Sequence, residues 1–324
     1  MTRYVSPLQE IGEDPSAVQR CGGKAVGLGK LLRMGARVPP GFCVVNEALS
    51  YLMDANSLGG RIASVAASLN FEDYQGVAEK TAEIRSLITA AAIPEDLAQE
   101  ILAAYRALVE TDGQFVAVRS SVAVKNSEVS SFPGMMDTYH YVLGDEEVME
   151  KLRECWASLW SARGAFARFQ KRIPLEHGII APVVQLMVNS EVAGVMFTAN
   201  PISQHTGEIV IEANWGLGES VVSGKSMNDF FVLDKETGAI KQKKIAQKTI
   251  MVTRDDQQRS GRKETPVPGH RAGIPVLSDK QLIELGEAGK RIERHFGYPA
   301  DIEWAYEGET LYILQARKVR SLKA

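Results

Sequence analysis

The hydrophobic period of the chain changes near Ile179, and this change limits the possible folds more than any other feature. Upstream, over residues 47–110, apolar residues recur three and four apart, as in Ile84, Leu87, Ile88 and Ala91, the spacing of one helix face. Residues 145–171 repeat the pattern with Met149, Leu152, Trp156, Leu159, Trp160 and Phe166, which predicts one long amphipathic helix with a core-facing aromatic stripe. Downstream the period is that of strands, over 183–188, 193–198 and 208–213, with turn residues at Asn189, Ser190 and Glu191. Residues 254–278, rich in charge, Gly and Pro, read as an exposed connection, and 279–296 as a helix. A hairpin of 300–306 with 310–317 closes the chain. The expected fold is α+β in two lobes, a helix-rich lobe over 1–180 and an antiparallel-sheet lobe over 181–324.

A chain of 324 residues, 45% hydrophobic and 24% charged, buries a substantial core. The net charge of −3 gives no general attraction to nucleic acid or anionic membrane, so the expected ligand is small and bound by local clusters. Cys21, Cys43 and Cys155 are widely spaced and not arranged as metal pairs, which fits a reducing compartment. Residues 1–14 lack the apolar run of a signal peptide, and no stretch approaches the ~18 apolar residues of a membrane span. A cytoplasmic location is expected.

Several polar positions stand out against this plan. An apolar strand over 115–118 is expected to end at Arg119 and enter a Ser/Gly-rich loop, a place where a guanidinium fork and backbone N–H groups grip phosphate oxygens. Gly22-Gly23-Lys24 opens a run that fails the standard phosphate-loop templates: Leu28 stands where the lysine belongs, and Leu32 where a third dinucleotide-fingerprint glycine belongs. It reads either as a turn before a helix or as a phosphate contact through backbone N–H groups and Lys24. Gln185 is the odd amide in an apolar strand, either a hydrogen-bonded core residue or a reader of a base edge.

In the last hairpin, a loop of residues 308–310 would set Glu303 opposite Gln315. Simple alternation would put Leu311, Ile313, Gln315 and Arg317 on one face. The resulting carboxylate, amide oxygen and guanidinium form either a cross-strand polar pair with a salt bridge or a seat for a magnesium ion carried on phosphates. Glu212 precedes a glycine-rich turn ending at Ser220, a structural turn or a metal-proximal position.

Phe132-Pro133-Gly134-Met135-Met136-Asp137-Thr138, following Arg119-Ser120-Ser121, resembles the nucleotide-binding domain of the dikinase family. That family includes phosphoenolpyruvate synthase, pyruvate phosphate dikinase, rifampin phosphotransferase and the ATP-binding subunit of phenylphosphate synthase. Gly22-Gly23-Lys24, Asp301-Ile302-Glu303-Trp304-Ala305 and Leu314-Gln315-Ala316-Arg317 are similar to the family in the same order. The resemblance implies an ATP-grasp fold closing on ATP with Mg²⁺. It implies Lys24, Arg119 and Arg317 on the phosphates as catalytic residues, Gln185 on adenine, and Glu303 with Gln315 on the metal. Gly134 and Thr138 would shape a lid loop, and Met135 and Met136 would pack in that lid or against a partner.

Dikinases pass phosphoryl groups through a histidine on a swivelling domain. None of His140, His177, His205, His270 and His295 sits in the Thr/Ser-x-His-small sequence of that domain. The resemblance therefore implies the ATP half of a split enzyme, most like the phenylphosphate synthase subunit. Such a subunit gives the β,γ-pyrophosphoryl group to a histidine on a partner subunit and releases AMP and phosphate, with phenol as final acceptor. The alternatives are the ATP-binding domain of a phosphoenolpyruvate synthase or rifampin phosphotransferase, an ATP-grasp ligase making ADP, and a non-catalytic ATP-binding subunit.

Overall fold

The computed structural model describes residues 3–111, 113–125, 137–224, 226–258, 260–319 and 322. The chain divides into two compact units, residues 1–30 with 40–187 and residues 31–39 with 188–324. The division falls after residue 187 rather than after 180. A strand hydrogen-bonded along both edges cannot be split, and the one spanning that point lies inside the first sheet.

The first unit holds β1 (Val5–Pro7), α1 (Pro15–Arg33, except its last three residues), β2 (Gly41–Val44), α2 (Asn46–Ala55), α3 (Gly59–Ala67), α4 (Tyr74–Thr89) and α5 (Glu95–Leu108). It continues with β3 (Val116–Val124), β4 (Thr138–Val142), α6 (Asp145–Ser158), α7 (Ala162–Gln170) and β5 (Gly178–Leu186). Its strands form one antiparallel sheet in the order β1-β2-β5-β3-β4. The residues 183–188 expected to open the second lobe thus lie largely in the first sheet.

Alternation along β3 and β5 separates two chemistries. Val116, Val118, Val122 and Val124 share one face with Ile180 and Val184, and they join Phe42, Leu52, Ile84, Ile88, Ile101 and Trp156 in the apolar core. The helical region of 47–110 is four helices, as its apolar spacing predicts. The single helix expected over 145–171 is two, because Ser161 takes the N-cap position and accepts a hydrogen bond from the Gly164 N–H.

The second unit contains β6 (Val192–Phe197), β7 (Glu208–Trp215), α8 (Glu219–Val222), β8 (Asp229–Asp234), β9 (Ile240–Lys244), β10 (Ile250–Arg254), β11 (Arg262–Pro266) and α9 (Gly269–Ala272). It ends with α10 (Asp279–Phe296), β12 (Ala300–Glu307) and β13 (Thr310–Lys318). The antiparallel sheet runs β13-β12-β6-β7-β8-β9. The supposed connection over 254–278 carries β11, the partner of β10 in a separate ribbon, and α9. Alternating exposed and half-buried residues along β11 conceal this strand among its charges.

Helix α10 has the predicted bounds because its ends are written in local chemistry. Ser278 and Gln281 form a capping box, and Gly297 closes the helix at φ 78°. Gly286 and Gly289 let α10 lie against Ile209 and Leu233, and against Met196 and Thr198. One sheet face is thereby covered.

Between β9 and β10 the chain is pinned by a fully buried ion pair. Lys248 Nζ stands 2.7 Å from Asp229 Oδ1, which also accepts from the Ala246 N–H, while Oδ2 accepts from the Val276 N–H. Asp229→Ala would strand the buried ammonium, and we expect a stability loss of about 3–5 kcal/mol in urea unfolding.

Candidate functional site

The first cluster grows from the face of β3 opposite its four core valines. Arg119 lies within the strand, not at its end, opposite Val183 of β5 and Thr138 of β4. The sequence expectation stopped the strand at residue 118 because Ser120 and Ser121 resemble loop residues. In the fold they pair with Pro182 and Ala181 and are buried.

Arg119 is only 8% exposed, and its Nη1 donates to Gln185 Oε1 at 2.9 Å. A guanidinium at that depth requires acceptors, so the lone amide of β5 is explained first as its partner. Gly41 stands opposite Gln185, and a Cβ there would fall 2.5 Å from the Val184 carbonyl oxygen. Only a glycine permits that approach. Thr138, half-buried, is directly across from Arg119.

Lys24 follows a break in α1. Gly22 has φ 73° and ψ 167°, so the helix stops and restarts, with Lys24 in the first turn of the second segment. The Ser121 hydroxyl accepts from the Ala25 N–H at 3.0 Å and donates to the Cys21 carbonyl at 2.7 Å. Burial pushes the Cys155 thiol up, Lys24 opposes that shift and Asp137 adds to it, so ammonium and carboxylate both lie within electrostatic reach of one thiol. Lys24, Arg119, Thr138 and Gln185 are therefore held by one unit. Gly134, with Met135 and Met136, lies outside the described residues.

The second cluster lies on the sheet face opposite α10. Glu303 pairs with Gln315, as expected, but for a different reason. The turn is tight, with Glu307 opposite Thr310 and Gly308 at φ 57°. The offset comes instead from a bulge: Trp304 pairs with Ile313 and Glu303 with Gln315, leaving Leu314 as the extra residue. The bulge reverses side-chain parity. Leu311 and Ile313 therefore share the face of Trp304 and Tyr306, and of the four residues expected on one face just Gln315 and Arg317 share that of Glu303, correcting the alternation expected from sequence.

Arg317 Nε and Nη2 lie 2.9 and 2.8 Å from Asp301 Oδ2. Asp301 was not singled out by sequence reasoning, although its place two residues before Glu303 puts it on the same strand face. Glu212 continues the row, since Val195 stands opposite both Glu303 and Glu212. The two carboxylates lie on strands about 9–10 Å apart.

Half-buried Glu303 and Gln315 together offer hard oxygen donors suited to magnesium. Among the described residues no group of three or more His, Cys, Asp or Glu could hold a metal ion alone. A cation here would need oxygens from a ligand as well, as a phosphate-borne magnesium has. Among the described residues, no helix is long and apolar enough to cross a membrane.

Residues 18–324 match the family described as pyruvate phosphate dikinase, AMP/ATP-binding domain. The chain is 38% identical to a probable phosphoenolpyruvate synthase of Pyrococcus horikoshii, across 99% of this chain and 44% of the relative. It is 39% identical to a probable phosphoenolpyruvate synthase of Methanocaldococcus jannaschii, across 99% of this chain and 27% of the relative. It is 36% identical to the prodigiosin synthesizing transferase PigC of Serratia marcescens, across 95% and 32%. The chain thus spans less than half the length of these curated relatives.

Loss of Asp301 would leave the Arg317 guanidinium without its carboxylate. Asp301→Ala should cost about 1.5–3 kcal/mol in denaturant unfolding, the range for hydrogen bonds to charged groups.

Proposed function

This chain belongs to the family of pyruvate phosphate dikinase AMP/ATP-binding domains, and from that premise we propose that it is the ATP-grasp component of a dikinase-type phosphotransferase. The observation that carries this reading is the bulged pairing of Glu303 with Gln315 beside Arg317, a set of oxygens and a cation suited to metal-bound phosphates. Lys24, Arg119 and Arg317 would offset phosphate charge, with Thr138 beside Arg119. Gln185 would face the adenine end, its carbonyl oxygen already committed to Arg119. Glu303 and Gln315 would hold Mg²⁺, which when bound supplies charge neutralisation on the phosphates.

In the reaction proposed, a histidine nitrogen from a partner subunit bonds to the β-phosphorus of ATP as the bridge to the α-phosphorus breaks. AMP leaves with the bridging oxygen, and water then takes the terminal group as phosphate. The residues here position and neutralise, the tasks phosphoryl transfer leaves to protein. The three cysteines are buried and outside disulfides, which supports a reducing, cytoplasmic setting.

Phenol as final acceptor follows from resemblance to the stand-alone subunit of phenylphosphate synthase. Pyruvate is the second reading, favoured by the relatives named as probable phosphoenolpyruvate synthases.

Arg119→Ala and Glu303→Ala should each abolish AMP formation while leaving a folded chain by circular dichroism. With [β-³²P]ATP and a histidine-bearing partner, acid-labile label should appear on the partner and pass to phenol or to pyruvate. ADP as the nucleotide product would refute the dikinase reading in favour of a ligase.

A further inference from the structure

We infer that Ser121 is a positioning residue for Lys24, acting as a hydroxyl spliced into the backbone ladder of α1. In an uninterrupted α-helix the Ala25 N–H would donate to the Cys21 carbonyl, four residues back. Here the Ser121 hydroxyl stands between those two groups, accepting from Ala25 at 3.0 Å and donating to Cys21 at 2.7 Å. One side chain from another element replaces one rung of the helix.

The geometry around that rung admits few substitutes. The splice needs a group that donates and accepts at once, which a hydroxyl does and a methyl does not. Ser121 is fully buried, so bulk water has no access to the rung. Gly22 must turn aside to open the ladder, and its φ of 73° is one that L side chains rarely adopt. A Cβ at Gly22 would also fall 2.5 Å from Ser121 Oγ and 2.6 Å from its carbonyl carbon. Glycine, break and hydroxyl form one device.

Its consequence is a fixed distance between two cations. Ser121 follows Arg119 by two residues on the same face of β3, about 7 Å along the strand. Lys24 immediately precedes the residue whose N–H the hydroxyl holds. The splice therefore ties the turn bearing Lys24 to the strand bearing Arg119. Without it the helix can close its own rung, from the Ala25 N–H to the Cys21 carbonyl, and the Gly23-Lys24 turn rotates away from β3. This inference rests on the reading of Lys24 as a phosphate contact for its purpose, though not for its geometry.

A double-mutant cycle on Mg-ATP affinity tests it. Ser121→Ala should weaken binding roughly tenfold, within the usual range for coupled neighbours, and should have less than about a twofold effect in a Lys24→Ala background. Backbone amide shifts of residues 22–25 should move in the nucleotide-free variant. A merely structural role would instead give effects that add. Additive losses, or full affinity in Ser121→Ala when Lys24→Ala has lost it, overturn the inference and leave the nucleotide reading standing. Unchanged affinity in both single variants overturns the nucleotide reading of Lys24 and this inference with it. If Ser121→Ala does not fold, Ser121→Cys, close in volume but a weaker donor, goes through the same cycle with the same expected non-additivity.

Discussion

Strand parity is the constraint on which both clusters depend. Side chains alternate across a pleated strand, so a residue's face is decided by its place in the ladder before any contact forms. In β3 this rule sends four valines into the apolar core and turns Arg119 and Ser121 the other way, toward Gln185 and α1. A guanidinium so little exposed needs acceptors, and the same parity delivers an amide oxygen from the neighbouring strand. Had Gln185 been one position earlier or later, it would face the hydrophobic core.

The last hairpin obeys the same rule after a deliberate slip. The tight turn alone would set Leu314 across from Glu303. One extra residue in β13 moves Gln315 into that place and carries Arg317 onto the face of Asp301 and Glu303. The helix α10 covers the opposite face, and Gln315, Glu303 and Glu212 share the other, with Val195 between the two carboxylates. In each unit parity thus gathers the polar side chains of the cluster on one face of its sheet.

The clusters also differ in kind. The first unit concentrates cations on rigid mounts, one in mid-strand and one in the first turn of a restarted helix. The second presents oxygen donors beside an arginine already tethered to Asp301. Rigid mounting matters because charges must be in place before a phosphoryl group moves.

Much of this was legible in the sequence where the signal is local. Helix α10 has the bounds expected from sequence, and Ser278, Gln281 and Gly297 enforce them, because caps act within a turn. Lys24, Arg119, Gln185, Glu303, Gln315 and Arg317 stood out as polar groups in apolar or glycine-rich surroundings, and their order matched a known family. The sequence therefore determined the change from helices to strands, the residue types and the kinship. Tertiary structure alone decided that β3 runs on through two serines, that Ser161 divides a helix, that a bulge rather than the turn aligns Glu303 with Gln315, and that Ser121 enters the ladder of α1. Each of these is a hydrogen bond or a local competition whose winner depends on partners far along the chain, and no local pattern in the sequence encodes where those partners will stand.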